Sequence, residues 1–243
     1  MTDASETTSP TSISVGCAEL PPGMNRAAYF RRLPFLEMRL PGDRPPARRV
    51  AEGWRSDAGG AGALALVAPR ALCAFHQSGA AGDAELELAV TALADAARAA
   101  QAVAVVFATP PDLSPSSAHR DMLRRFFTDL AGPERFGGDA AVARIWQADG
   151  LWRPPVAAAF AEELGIVASV DPLAGDPLEE GIPAAPPALA YARVTGLGRP
   201  SRPLGTDDLD RLAEWAASSQ RAFIALATPT RFKDALALAR ALA

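Results

Sequence analysis

A chain of 243 residues, 49% apolar and 21% charged, has the make-up of an ordinary globular protein and the length of one α/β barrel or of two smaller domains. Its formal charge of -4 gives no basic field for duplex nucleic acid, and no apolar run approaches the roughly 20 residues needed to span a bilayer. Cys17 and Cys73 stand alone, without a C-x-x-C or a Cys/His cluster, so neither a zinc site nor a disulfide framework is indicated.

The opening "MTDASETTSPTS" is polar, acidic and Ser/Thr-rich, the profile of a disordered tail over residues 1–11, and it offers no secretory apolar region. A cytoplasmic protein is the expectation. "SISVG" (12–16) then reads as a strand and "NRAAYFRRL" as a short helix. In "PFLEMRL" (34–40) alternation places Glu37 and Arg39 on one face of a second strand, with Leu36, Met38 and Leu40 on the other. "PPARRVAEGWRSD" is a helix with proline at its start, and "GALALVA" (62–68) is a continuous apolar run, as in a strand covered on both faces. "DAELELAVTALADAARAA" (83–100) is an amphipathic helix, followed by the strand "AVAVVFA" (102–108).

Ser114 is the expected cap of a helix opening at Pro115 and running through "HRDMLRRFFTDL". "AVARIWQ" is a fifth strand, "PPVAAAFAEEL" a helix and "GIVASVD" a sixth strand. The Pro/Gly-rich "PLAGDPLEEGIPAAPP" (172–187) stands where a sixth crossover helix belongs. "ALAYARV" (188–194) is a seventh strand. "TDDLDRLAEWAAS" is a helix with Thr206 as its expected cap, "RAFIALA" an eighth strand, and "RFKDALALARALA" a closing helix.

Eight strands alternating with helices predict a closed TIM-type (β/α)8 barrel over residues 12–243, irregular around the sixth helix. Strands should begin near residues 12, 34, 63, 102, 142, 166, 189 and 222, with the last pairing with the first. An open doubly wound sheet is disfavoured, because the sequel of the first strand, "CAELPPG", holds no G-x-G-x-x-G.

The order of short motifs resembles the domain-of-unknown-function 72 (YecE-like) family, whose members fold as TIM-type barrels. Gly16 of "GCAEL" matches a G-T-S-G-W element, and "EMRLPGD" keeps the Glu of E-x-N-S-T-F-Y as Glu37, with Arg39 at the Asn position. "VAPRALCAFH" keeps Ala68 and Pro69 of K-A-P, has Val67 for the lysine, and sets His76 two positions late against T-H. "ATPPDL" keeps Pro110 and Pro111 of Q-L-P-P, and Trp152 alone fits an E-x-R-x-x-S-W element. Asp171 matches an aspartate after strand six. "YARVTG" keeps Tyr191, Arg193 and Gly196 of Y-V-R-L-H-G, with Thr195 for histidine, and Ala227 and Thr228 replace a closing Asn pair. The resemblance spans nearly the whole chain and implies a fold and a pocket location. Framework positions are kept, whereas most polar ones are changed.

Barrel sites lie at the C-terminal ends of the strands. The candidate ligand-binding residues there are Glu37, Arg39, Arg70, His76, Asp171 and Arg193. An unpaired charge inside a barrel is costly, so Glu37 is expected to bond Arg193 or Arg39, leaving positive charge near the rim. No G-x-S-x-G is present, and one rim histidine with scattered carboxylates makes a poor metal site; no metal or cofactor is expected. Cys17 reads as a small apolar filler, and His119 as an outer-ring side chain. Glu19 and Asp171 could form a glycosidase pair, and Trp146 and Trp152 either a stacking platform or a plug behind the barrel wall. "GLGRPSRPLG" (196–205) brings Arg199 and Arg202 to a rim loop where barrels often hold phosphate.

Two functions stay open. The first is a divergent, non-catalytic binding protein. The second is a hydrolase-like enzyme acting on a small anionic or phosphorylated ligand at the rim. A small anionic ligand is the expected partner of the rim pocket, while the non-catalytic reading extends to a binding or scaffold protein; nucleic acid is disfavoured and no membrane is expected.

Overall fold

The computed structural model describes residues 12–40, 44–75, 83–137, 142–174, 188–196 and 203–242. The expected tail over 1–11 and the candidates His76, Arg199 and Arg202 lie outside the described residues.

Eight parallel strands close into a barrel in sequential order: β1 (Ser12–Ala18), β2 (Phe35–Arg39), β3 (Ala63–Val67), β4 (Ala104–Ala108), β5 (Ala143–Gln147), β6 (Val167–Val170), β7 (Ala190–Val194) and β8 (Arg221–Leu226). Each begins within two residues of its expected position, and β8 pairs with β1 from Ser12 opposite Arg221 to Cys17 opposite Leu226. The intervening helices are α1 (Arg26–Phe30), α2 (Arg48–Ala58), α3 (Arg70–Cys73), α4 (Asp83–Ala99), α5 (Ser117–Arg125), α6 (Pro154–Glu163), α7 (Thr206–Ala217) and α8 (Arg231–Ala241). Between β6 and β7 the described residues hold no helix. Among the described residues no helix is long and apolar enough to cross a membrane.

The two-residue alternation sorts the strands into two cores. Phe35, Ala65, Val67, Ala104, Val106, Ile145, Tyr191, Phe223 and Ala225 fill the interior. Leu36, Met38, Leu64, Leu66, Val105 and Phe107 face outward into the layer shared with the helices. The interior is rich in alanine, and its large rings meet one another, Phe35 lying 5.1 Å from Phe223 and 6.2 Å from Tyr191 between ring centres.

Three helix starts differ from expectation. The cap of α2 is Ala47, with Pro45 and Pro46 upstream rather than at the first helical position. Ser116, not Ser114, caps α5 by accepting from His119 N, because the backbone N–H and hydroxyl of Ser114 are both engaged by the His119 ring. Gly205 precedes α7 and donates its N–H to Asp208 Oδ2, so the acid three residues on does the capping and Thr206 is already helical. Beyond α5 the chain continues as a π-helical turn over Phe126–Leu130. Arg144 on β5 stitches that turn to the wall, donating to Phe127 O, Ala131 O and Gly165 O, and burial lowers its pKa from the usual arginine value.

Tyr29 of α1 takes part in the wall itself. Its hydroxyl accepts from Cys17 N at 2.7 Å and donates to Phe35 O at 2.7 Å, bridging β1 and β2 where a direct ladder bond would stand. Only glycine fits opposite. A Cβ on Gly16 would lie 1.7 Å from Phe35 O and 2.9 Å from the Tyr29 hydroxyl. The Gly16 retained in the motif order is therefore required first by the close approach of the β2 backbone at Phe35 and then by the Tyr29 hydroxyl of this bridge.

Candidate functional site

The alternation of β2 sends Glu37 inward with Phe35, and Glu37 is 1% exposed. Its register neighbours are Ala18 on β1 and Ala65 on β3, which leave room for its side chain to cross the barrel. From β7, Tyr191 and Arg193 share the inward face, and the partner of Arg193 on β8 is Ala225. Small residues on the two strands between β2 and β7 thus allow a meeting that bulkier ones would block. Tyr191 donates its hydroxyl to Glu37 Oε2 at 2.7 Å, and Arg193 donates Nε–H to Glu37 Oε1 at 2.9 Å. Both carboxylate oxygens are engaged.

The electrostatics follow from that burial. Burial, then the adjacent Glu37 carboxylate, holds the Tyr191 phenol well above its ordinary pKa, so it stays protonated and donates. For Arg193 burial works against the charged form, but the Glu37 carboxylate outweighs it and raises the guanidinium above its usual value. The Arg193 side chain is 17% exposed, and its terminal nitrogens have no partner among the described residues.

Arg39 shares the face of Glu37 but lies at the end of the strand, past the closed interior. Of the two partners anticipated for Glu37, the structure selects Arg193. Arg39 instead pairs with Glu19 at 3.0 Å, both side chains about half exposed or more. Glu19 follows β1 with φ of 71°, a left-handed conformation uncommon for this residue type, and its N–H donates to Glu37 O. Glu19 also lies within electrostatic reach of Arg193.

The other candidates are dispersed. Asp171 Oδ1 accepts from Leu173 N, while Oδ2 accepts from Thr195 N and Oγ1, so this carboxylate laces the end of β6 to that of β7. Glu19 is paired to Arg39, so the two carboxylates make separate contacts. Arg70 opens α3 and is exposed. Trp146 and Trp152 are a plug rather than a platform: they meet edge to face at 4.8 Å, and their indole N–H groups go to Thr109 Oγ1 and Leu113 O. Among the described residues no group of three or more His, Cys, Asp and Glu gathers as a metal site. Sequence reasoning missed the Tyr191–Glu37 bond and the Glu19–Arg39 pair. The first was open to discovery, since Tyr191 and Arg193 are two residues apart on one face, whereas the second depends on a loop turn that periodicity does not encode.

Fold and rim together define a parallel (β/α)8 barrel with a buried Glu-Tyr-Arg network below its C-terminal mouth. Among solved structures the chain is similar to a DUF72 family protein from Enterococcus faecalis, at TM-score 0.69 and 13% identity over 95% of each chain. It is similar to a DUF72 family protein from Thermotoga maritima, at TM-score 0.63 and 11% identity over 96% of this chain and 99% of that one. An AP endonuclease of family 2 from Brucella melitensis matches at TM-score 0.58 and 11% identity, over 93% and 97% of the two chains. No family model matches the sequence, and no curated protein does. At these identities the likeness is one of fold, and that fold agrees with the motif order that resembles the domain-of-unknown-function 72 family.

Proposed function

We propose that the protein is a divergent member of the domain-of-unknown-function 72 family that binds a small anion at the C-terminal mouth of its barrel, with Arg193 as the principal contact. One observation carries this. Arg193 is fixed through Nε by a fully buried carboxylate, while its terminal nitrogens stand near the rim without a partner among the described residues. A guanidinium held in this way is pre-organised, so little entropy is lost when a carboxylate or phosphate takes its free edge. Binding is favoured over acid–base catalysis because Glu37 and Asp171 have both oxygens committed to structural hydrogen bonds. A hydrolase would need one of them free to move a proton.

The test is thermal stabilisation by inorganic phosphate and by sulfate against chloride at equal ionic strength. An anion at 100 times its Kd adds about 2.7 kcal/mol, several degrees of Tm. Arg193→Lys keeps a cation beside Glu37 but removes the fork, and should lose most of the shift. No shift in the wild type, or an equal shift in Arg193→Lys, refutes the assignment.

A further inference from the structure

A groove of about 640 Å³ lies outside the barrel wall, between the outer face of β2 and α2, and Arg193, Glu37 and Tyr191 are not among its lining residues. Its volume is that of a small-molecule site, and it opens at the C-terminal ends of β1 and β2, where barrels of this kind carry function. Met38 and Leu40 come from the outward face of β2 and Trp54 from α2, and all three are buried. Val50, one turn before Trp54, is 48% exposed, an apolar side chain left facing water.

Two arginines provide the polar ends. Arg26 donates Nε–H to Asp57 at 2.8 Å with its guanidinium 5.9 Å from the Trp54 ring centre, and Arg39 donates Nε–H to Glu19 at 3.0 Å. Each carboxylate orients its arginine through one edge, and the terminal nitrogens of both have no partner among the described residues. Glu19 has a left-handed backbone, with φ of 71°. Here it delivers the carboxylate that aligns Arg39 at the groove. The charged residues that line the groove are one acid, Glu19, and two arginines, Arg26 and Arg39, a balance of +1 that suits a singly charged anionic head group better than a dianion.

We propose that this groove binds a small organic acid with an apolar body, its carboxylate on the free arginine nitrogens and its body on Met38, Leu40 and Trp54. The site is separate from the anion site at Arg193 and stands whether or not that one does.

The probe is 3-phenylpropionate, followed by calorimetry and by ligand-observed NMR, with its amide and with acetate as controls. Saturable binding is expected, and the uncharged amide and the bodiless acetate should each bind at least about tenfold more weakly. Val50→Glu and Arg39→Gln alter exposed side chains, so both should fold, and each should weaken binding about tenfold or more. Arg193→Lys should leave 3-phenylpropionate affinity unchanged, which separates this result from the phosphate experiment. Absence of saturable binding at millimolar probe, unchanged affinity in either groove variant, or equal binding of the amide overturns the proposal.

Discussion

Arg193 on β7 donates its Nε proton to Glu37 on β2 across 2.9 Å, although β1 and β8 stand between the two strands. The carboxylate is 1% exposed and also accepts from Tyr191, so removing it strands a cation and a phenol inside the barrel. Glu37→Ala should therefore cost about 3–5 kcal/mol in urea denaturation. Tyr191→Phe removes one hydrogen bond to a charged acceptor and should cost about 1.5–3 kcal/mol. A loss for Glu37→Ala below about 1 kcal/mol, the range of an exposed pair, would place Glu37 in water.

Gly16 supports the opposite side of the same wall. Its missing side chain admits the Tyr29 hydroxyl between β1 and β2, and a methyl group there would overlap Phe35 O. Gly16→Ala should destabilise by about 3 kcal/mol, the upper range for overpacking. Tyr29→Phe in the Gly16→Ala background tests the mechanism. With the hydroxyl gone part of the clash is gone, so the two changes should cost less together than their sum. Simple additivity would mean that the bridge is not the reason for the glycine.

The barrel was legible because its strands are short apolar runs at regular spacing, and runs such as "GALALVA" and "AVAVVFA", alternating with helical patterns, suit parallel strands covered on both faces. The two-residue period placed Glu37 and Arg39 on one face, and it was the resemblance, which keeps a Glu and an Arg at the positions of Glu37 and Arg193, that implied this face is inward. Local capping was not legible: Ser114 and Ser116 are equivalent by type, and only the position of the His119 ring decides between them. Arg39 misled for a related reason. Alternation fixes its face but not its depth, and at the end of β2 that face is already rim. The groove beside Trp54 was invisible to periodicity, since its lining joins residues of α1, α2, β2 and the segment after β1 that are far apart in the chain.

Glu19 is a test of stored strain. A left-handed backbone costs an L residue about 1–2 kcal/mol, a cost glycine does not bear, while its half-exposed pair with Arg39 contributes about 0–1 kcal/mol. Glu19→Gly should thus leave stability unchanged or raise it by about 1 kcal/mol, while freeing Arg39. Glu19→Ala, which keeps the strain and loses the pair, should be the less stable of the two. If Glu19→Ala proves the more stable variant in urea melts, backbone strain at this position is not what sets the balance.

Cys17 is fully buried beneath the Tyr29 bridge, and burial pushes its thiol from an ordinary value of 9.0 up to about 11. Cys73 is likewise pushed up by burial, to about 12. Between pH 9 and 11 the unfolded chain releases the Cys17 proton while the native state keeps it, so the native state binds more protons and stability falls as pH rises. The contribution is fully present below pH 9 and is lost by the time the folded group titrates near 11. A shift of this size is worth at most about 3 kcal/mol. Urea midpoints measured from pH 8 upward should decline for the wild type, and the decline should be shallower in Cys17→Ala, whatever packing that variant loses at neutral pH. In the same state the thiolate fraction at neutral pH is negligible, so a disulfide reagent should label Cys17 only after denaturant is added. Rapid labelling of the native protein at pH 7 would show a solvated, activated thiol and would move Cys17 from the barrel wall into the candidate site.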